Sequence, residues 1–354
     1  MGEFIGLLKR LSEVCAPSGY EGPVKEIIES AVKDYVDEVY TDKMGNLVTV
    51  KRGVEKAPKI LLDAHMDEIG MLVKYIDDKG FIRFSYTGGF SDQVVLNQRV
   101  MVLTREGSLP GVIGSKPPHL ISTEDRDKPV KRSEMFIDIG VGSREEAERM
   151  GVRIGDHVTW VTAFTELADK NVSCKAFDNR VGCTVLIEVL KEFKSPATIY
   201  GVFPVMEEVG LRGAKTAAYS LEPNAALVFD IAAAGDHPGI KEGEAPIKLG
   251  GGPVIGVADG GKASLGGGLI THPKIRQVLV DTAERNNIPY QLYVFEGATT
   301  DGTAISLSRS GVPTGLLSVP VRYVHSASEV LNTADVEKTI ELSKLSLLKI
   351  AELF

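Results

Sequence analysis

Two histidines and several carboxylates stand in this 354-residue chain where an α/β protein concentrates its chemistry. His65, with Asp67 two residues on, closes the apolar run 60–64. Asp178 follows Ala176-Phe177 and opens a helical pattern. Glu207 and Glu208 follow the apolar stretch 198–205, and Gly210 comes just after them. Asp230 ends the run 225–229, and His325 follows Val319-Pro320. In open α/β sheets ligands bind outside the carboxyl ends of the strands, so these positions are candidates to meet in space.

Taken singly, each residue has an ordinary explanation. A histidine at a strand end is commonly structural, Asp178 could cap a helix, Glu207-Glu208 could be a solvated turn, and Asp230 a turn acid. Taken together they are harder to dismiss. Adjacent residues of an extended strand point to opposite faces, so Glu207 and Glu208 serve one site only if the chain turns there, which Gly210 allows. Asp230 lies between Phe229 and Ile231, where a bare charge is expensive unless it is paired or on a metal. Two imidazoles with several carboxylates suit a borderline cation such as Zn²⁺ or Co²⁺ better than Mg²⁺.

The elements that must position these groups follow from periodicity. Helical spacing predicts helices over 4–14, 21–36, 180–193, 212–221, 273–286, 303–310 and 335–353. Strands are expected over 39–41, 47–51, 60–64, 198–205, 225–231, 290–295 and 313–319. Such alternation implies a mixed α/β sheet with parallel portions and helices on both faces. Between 69 and 161 the texture changes to short β stretches (71–75, 81–86, 100–104, 112–113, 136–139, 157–161), separated by turn signals such as Asp78-Lys79-Gly80 and Gly88-Gly89. One helix interrupts them, over 143–150, with Ser143 as its N-cap. The expected organisation is a main α/β domain of residues 1–67 and 164–354, with an inserted β-rich domain over 68–163.

Composition narrows the classes. Hydrophobic residues make up 43% and charged residues 25%, ordinary values for a globular protein. No apolar run approaches the ~20 residues of a membrane helix, the first ten residues lack the pattern of a secretory signal, and Gly6 breaks the myristoylation pattern that Gly2 would begin. The net charge of −8 argues against a nucleic-acid-coating role. Cys15, Cys174 and Cys183 have no metal-ligand spacing and fit a reducing, cytoplasmic setting.

Six segments then carry a resemblance: LLDAHMDEIG (61–70), KAFDNRVGC (175–183), MEEVGLRGA (206–214), VFDIA (228–232), TTDGTAI (299–305) and RYVHSASEV (322–330). In this order they resemble the TET (tetrahedral) aminopeptidases of the glutamyl-aminopeptidase-like group, some of whose members carry the name endoglucanase. The resemblance spans essentially the whole chain. It implies a dinuclear zinc exopeptidase-like fold with a PDZ-like insertion. It also implies two divalent ions per subunit, Zn²⁺ or Co²⁺: Asp178 bridging, His65 and Asp230 completing one metal, Glu208 and His325 the other. Glu207 would be the general base, and Asp67 would hold the His65 ring. Members of the group form hollow tetrahedral dodecamers built from dimers, so self-association is implied as well. Two metals ~3.5–4 Å apart can share and acidify a water and clamp a tetrahedral oxyanion, which is what peptide hydrolysis requires.

The expectation is therefore a cytoplasmic, metal-dependent aminopeptidase acting on oligopeptides. The acidic balance and the acids Glu296 and Asp301 tilt its preference slightly toward Lys and Arg, then neutral residues. An endoglucanase-type glycosidase is the first rival, although it has no need of two histidines, and a single Trp offers few sugar platforms. The others are a non-catalytic assembly or peptide-binding protein, and an amidohydrolase acting on acylated amino acids. His119 is read as serving structure or assembly, His157, His237 and His272 as lacking a carboxylate partner in the pattern, with His272-Pro273 a helix entry, Asp301 as a cap or a pocket residue, and 250–268 as a glycine-rich stretch that is no phosphate loop.

Overall fold

The structure is a computed structural model describing residues 3–123 and 128–354; Met1 and Gly2 lie outside the described residues. The chain opens with α1 (Glu3–Glu13) and α2 (Gly22–Val32), then β1 (Glu38–Thr41), β2 (Leu47–Lys51) and β3 (Lys59–Asp63). The pattern over 21–36 breaks at Val32 into a short 3₁₀ turn. A run of barrel strands follows: β4 (Gly70–Ile76), β5 (Ile82–Thr87), β6 (Arg99–Thr104), β7 (Gly107–Gly114), β8 (Phe136–Asp138), then α3 (Arg144–Arg149) and β9 (His157–Trp160). The remainder is β10 (Thr165–Glu166), β11 (Asn171–Cys174), α4 (Phe177–Glu192), β12 (Thr198–Phe203), α5 (Arg212–Leu221), β13 (Ala225–Ala233), β14 (Val254–Gly260), α6 (Pro273–Arg285), β15 (Gln291–Glu296), α7 (Asp301–Ser306), β16 (Thr314–Arg322), β17 (Glu329–Asn332) and α8 (Thr333–Ala351).

Among the described residues the α/β part is one mixed sheet, in the order β1-β2-β12-β3-β13-β16-β17-β11-β10, with β14 joined to β16 and carrying β15 outside it. Its centre is parallel: β12, β3, β13 and β16 run the same way. The sequence explains why. Residues 60–62 and 225–229 are continuous apolar runs, as strands covered on both faces must be. Ile60 and Leu62 face one side, with α1, α2, α4, α6 and α8. Leu61 and Val228 face the other, with α5 and α7. Burying the Ile60 or Leu62 side chain alone contributes about 1.5–3 kcal/mol.

The strands from Gly70 to Trp160 close on themselves as a six-stranded barrel, β4-β5-β8-β7-β6-β9. Closure removes both sheet edges and encloses a separate core that includes Val102, Ile137, Val158 and Trp160. Ser143 caps α3 by accepting a hydrogen bond from the Glu146 N–H, as its sequence implies. Ala327, two residues beyond His325, packs into this core, and Thr162 donates to its carbonyl. The barrel thus braces the segment that carries His325.

Candidate metal centre

The predicted residues converge at the carboxyl ends of the parallel strands. β3 ends at Asp63 and delivers His65, which is 2% exposed. β13 delivers Asp230 near its middle. Asp178 lies just before the regular turns of α4: its own backbone and that of Asn179 are non-helical, so the helix proper begins at Arg180, and the Asp178–Asn179 peptide is cis. The capping bond there comes from Asn179, whose Oδ1 accepts from Gly182 N, and not from Asp178. After β12 the chain reverses at once. Met206 is left-handed and Gly210 has φ +118°, and the amides of Gly210 and Leu211 both donate to the Glu207 carbonyl. This tight turn sends Glu207 and Glu208 into the same site.

Six side chains form two triads: His65, Glu207 and Asp230 in one, and Asp178, Glu208 and His325 in the other, with ligand atoms inside each triad no more than 4.8 Å apart. Asp178 joins them. Its Oδ1 is 3.3 Å from His65 Nε2 and its Oδ2 is 3.2 Å from His325 Nε2. His325 Nε2 is also 3.4 Å from Glu208 Oε1, and His65 Nε2 is 4.0 Å from Glu207 Oε2.

The electrostatics show what this set suits. Four carboxylates and two imidazoles are gathered in a site where a bare charge is expensive. Burial and the repulsion of its carboxylate neighbours push Asp230 up to about 7 and Glu207 well above the usual carboxylate range. Burial opposes a charged His65, but Glu207, Asp178 and Asp67 outweigh it and hold the imidazole well above its ordinary range. Burial would likewise raise Asp178, yet the hydrogen bonds of His325 and His65 bring it far below. Glu208 Oε1 is buried without a hydrogen-bond partner. Two divalent cations would match the four negative charges. The N/O donor set fits such ions, and the residues present can hold them.

Other residues hold the donors in place. Asp67, fully buried, sits 3.4 Å from His65 Nδ1. Its firmer bonds are to the turn: it accepts from Glu207 N (3.0 Å), Glu208 N (3.3 Å) and the Ser18 hydroxyl (2.6 Å). Asp67 therefore ties the His65 strand to the paired glutamates, a wider role than steadying one ring. His325 Nδ1 meets the Gly89 carbonyl of the barrel, which leaves Nε2 facing Asp178 and Glu208. His325 is itself left-handed, with φ +61°, a conformation that costs a non-glycine residue energy and is kept at functional sites.

The sequence reading missed two supporting groups, Glu329 and Glu68, and misplaced a third, Asp301. Glu329, 1% exposed, accepts from the Asp178 amide (3.0 Å) and the His325 amide (2.9 Å), one with each oxygen. It lies inside the RYVHSASEV segment, which was the available signal. Glu68, beside Asp67, is buried against Lys175 and Arg180, which flank Asp178. Asp301 neither caps α7, since Thr300 does so, nor lines the cavity. It is buried next to Asp63: burial and the Asp63 charge raise Asp301, whereas Asp63 is raised by burial and by Asp230 and Glu207, against a lowering contact from Asp301. Of the other histidines, His157 packs on Tyr20, His237 on Tyr323, and His272 precedes α6. All three cysteines are free, and burial pushes Cys174 and Cys183 up to about 12.

Known proteins resemble this chain in sequence and fold. Residues 45–342 match the model of the M42 glutamyl aminopeptidase family. The aminopeptidase APDkam598 of the archaeon Desulfurococcus kamchatkensis is 42% identical, with a TM-score of 0.93 over 98% of this chain and 95% of that one. The TET1 peptidase of Pyrococcus horikoshii, which assembles into a tetrahedron or an octahedral shell, is 34% identical, with a TM-score of 0.85 over 98% and 99%. The lysyl aminopeptidase of Pyrococcus furiosus is 35% identical over 96% of this chain and 95% of its own. With its sequence and fold shared along nearly their whole length, the chain belongs to the M42 glutamyl aminopeptidase family and is a metal-dependent aminopeptidase.

Proposed function

We propose that the protein removes N-terminal residues from oligopeptides at a two-metal centre in which His65, Asp178 and Asp230 hold one ion and Asp178, Glu208 and His325 the other. The observation that carries this is Asp178, whose two oxygens address the two histidines from between the triads. The bound ions, Zn²⁺ or Co²⁺, supply Lewis acidity and lower the pKa of water. The chain supplies the rest. Glu207, its basicity raised by burial, takes the proton of the attacking water and returns it to the leaving amine. Asp67 holds the amides of Glu207 and Glu208, and Glu329 those of Asp178 and His325, so the donors keep their spacing as charge shifts. Glu207 also reaches the donor atoms of His65 and Asp230, so metal content and turnover measured together in Glu207→Gln distinguish a base from a ligand.

The finer organisation belongs to the same proposal. Residues 1–67 and 164–354 form the catalytic domain, and 68–163 an inserted, PDZ-like domain that supports assembly into a tetrahedral dodecamer built from dimers. The family likeness to the TET1 peptidase supports this. The three free cysteines support a cytoplasmic location. The preferred N-terminal residues are Lys and Arg, then neutral ones. Glu296 and Asp301 do not line the cavity, so the acids first invoked for that preference are not its support; another carboxylate, described below, is.

The experiment is a panel of aminoacyl chromogenic substrates with an N-blocked control, with chelation and metal restoration. Hydrolysis of free-amine substrates only, lost with EDTA and regained with zinc or cobalt, is expected. Cleavage that survives chelation would contradict the metal dependence, cleavage of the blocked control would point to an amidohydrolase, and no cleavage at all with metal restored would turn the search to polysaccharides and a glycosidase.

A further inference from the structure

The cavity at the metal centre, about 590 Å³, continues past β16 to the ribbon of β14 and β15. Its far wall is apolar, with Ile231, Ala258, Leu316, Tyr293 and Phe295 among its residues. Among the described lining residues outside the metal cluster, Asp259 is the one that carries a charge.

A bulge aims it there. β14 and β15 run parallel, Gly256 opposite Tyr293 and Asp259 opposite Phe295, with the register shifting between Gly256 and Ala258. In an unbroken strand Gly256 and Asp259 would face opposite sides. The extra residue, Val257, brings Asp259 onto the face of Tyr293 and Phe295, which stack at 5.2 Å. Bulges commonly re-aim a side chain beside an active site. Gly256 leaves the floor between them open, since a Cβ there would run into the Leu316 side chain.

The carboxylate is half satisfied. Asp259 is 2% exposed. Its Oδ1 accepts from Leu269 N (2.8 Å) and the Thr299 hydroxyl (2.7 Å), whereas Oδ2 is buried with no hydrogen-bond partner. The Thr300 hydroxyl caps α7 by accepting from Gly302 N and lies near enough to the Asp259 carboxylate to help lower its pKa, without making a bond to Oδ2. The Tyr293 hydroxyl, on the same wall, is also buried and unpartnered. A buried acceptor without a donor is costly. A guest that fits is one with an apolar stem and a cationic, hydrogen-donating tip. The segment of Thr299, Thr300 and Asp301 ties this wall to the metal centre, because Asp301 lies against Asp63, two residues before His65.

We propose that Asp259 is the specificity residue of this enzyme, receiving the ammonium or guanidinium group of an N-terminal Lys or Arg whose methylenes lie along Ile231, Leu316 and Tyr293. The inference rests on the aminopeptidase reading. A site built to pair a substrate group rejects the analogue that lacks it, and losing one partner of a buried charge pair lowers binding by about thirtyfold or more.

The test compares kcat/KM for lysyl, arginyl, norleucyl and glutamyl p-nitroanilides on metal-loaded enzyme, wild type and Asp259→Asn. Norleucine keeps the lysine stem without its ammonium, and Asn keeps an acceptor for Leu269 and Thr299. The lysyl-to-norleucyl ratio is expected at about 30 or above in the wild type and to fall toward one in the variant. A wild-type ratio near one overturns the inference without any variant, and so does a ratio that persists in Asp259→Asn. In both cases norleucyl cleavage would leave the aminopeptidase reading standing. No hydrolysis of any substrate would bring down that reading and the inference with it.

Discussion

Glu68→Gln should destabilise the protein by about 3–5 kcal/mol, although Glu68 contacts no donor of the metal centre. Glu68, Lys175 and Arg180 are all at most 1% exposed. Lys175 Nζ is 2.8 Å from each Glu68 oxygen and 2.9 Å from the Val14 carbonyl. Arg180 Nη2 is 3.6 Å from Glu68, and its guanidinium also donates to the Leu11 and Ala16 carbonyls. One anion thus serves two buried cations. Gln keeps the shape and a hydrogen-bond acceptor but leaves both cations uncompensated, hence the size of the estimate. Lys175→Met takes away a cation instead and leaves Glu68 and Arg180 as a balanced pair. Its main loss is the bond to Val14 O, about 1–3 kcal/mol. The order of the two variants is therefore fixed by charge. Guanidinium unfolding of metal-saturated protein at fixed protein concentration, followed by circular dichroism, would measure it. If Lys175→Met proved as damaging as Glu68→Gln, or if Glu68→Gln fell below about 1 kcal/mol, the charge argument would be refuted.

Three further substitutions probe the positioning of the donors. Gly182→Ala should impair folding or metal retention, because a Cβ there would overlap the Asn179 amide, which is pinned by bonds to Phe229 O and from Gly182 N; thermal melting and metal analysis would show it. Gly88→Ala puts a side chain at φ +96°, with its Cβ 2.5 Å from Ile69 Cγ2 and 3.2 Å from Glu208 Oε2. It should weaken metal affinity about tenfold, read by titration against a chelating dye. Asp67→Asn replaces a carboxylate that holds two amides and faces His65, so metal affinity or kcat should drop about 10–100-fold while the fold persists; unchanged values for both would deny Asp67 its positioning role.

Much of the site was legible because strong local signals coincide with the strand ends. The apolar run before His65 suits a doubly covered strand, and Gly210 allows the turn that lets Glu207 and Glu208 converge. The start of α4 at Arg180 was read correctly for the same reason: the regular apolar spacing begins there. What the sequence hid depends on tertiary pairing. β11 and β17 have four residues each, too few for alternation to register. β14 is broken by Gly256 and flanked by glycine-rich loops, so it reads as a loop until β15 and β16 pair with it. In β7, Pro110 and Gly111 mask a strand of eight residues. Glu329 and Asp259 gain their roles only from neighbours distant in the chain, which no spacing rule within one segment reveals. Glu296 and Asp301 show the reverse error: acids close in sequence to a motif were credited with facing the pocket, and one is exposed at a strand end while the other is buried behind it.

The account's central claim is that Glu207 moves protons while its neighbours hold two metals. Measuring metal content per subunit and kcat together in Glu207→Gln tests it most directly. Two equivalents of metal retained, with kcat lower by about 10²–10⁴, is the predicted result. Loss of one equivalent in step with activity would make Glu207 a ligand and contradict the assignment.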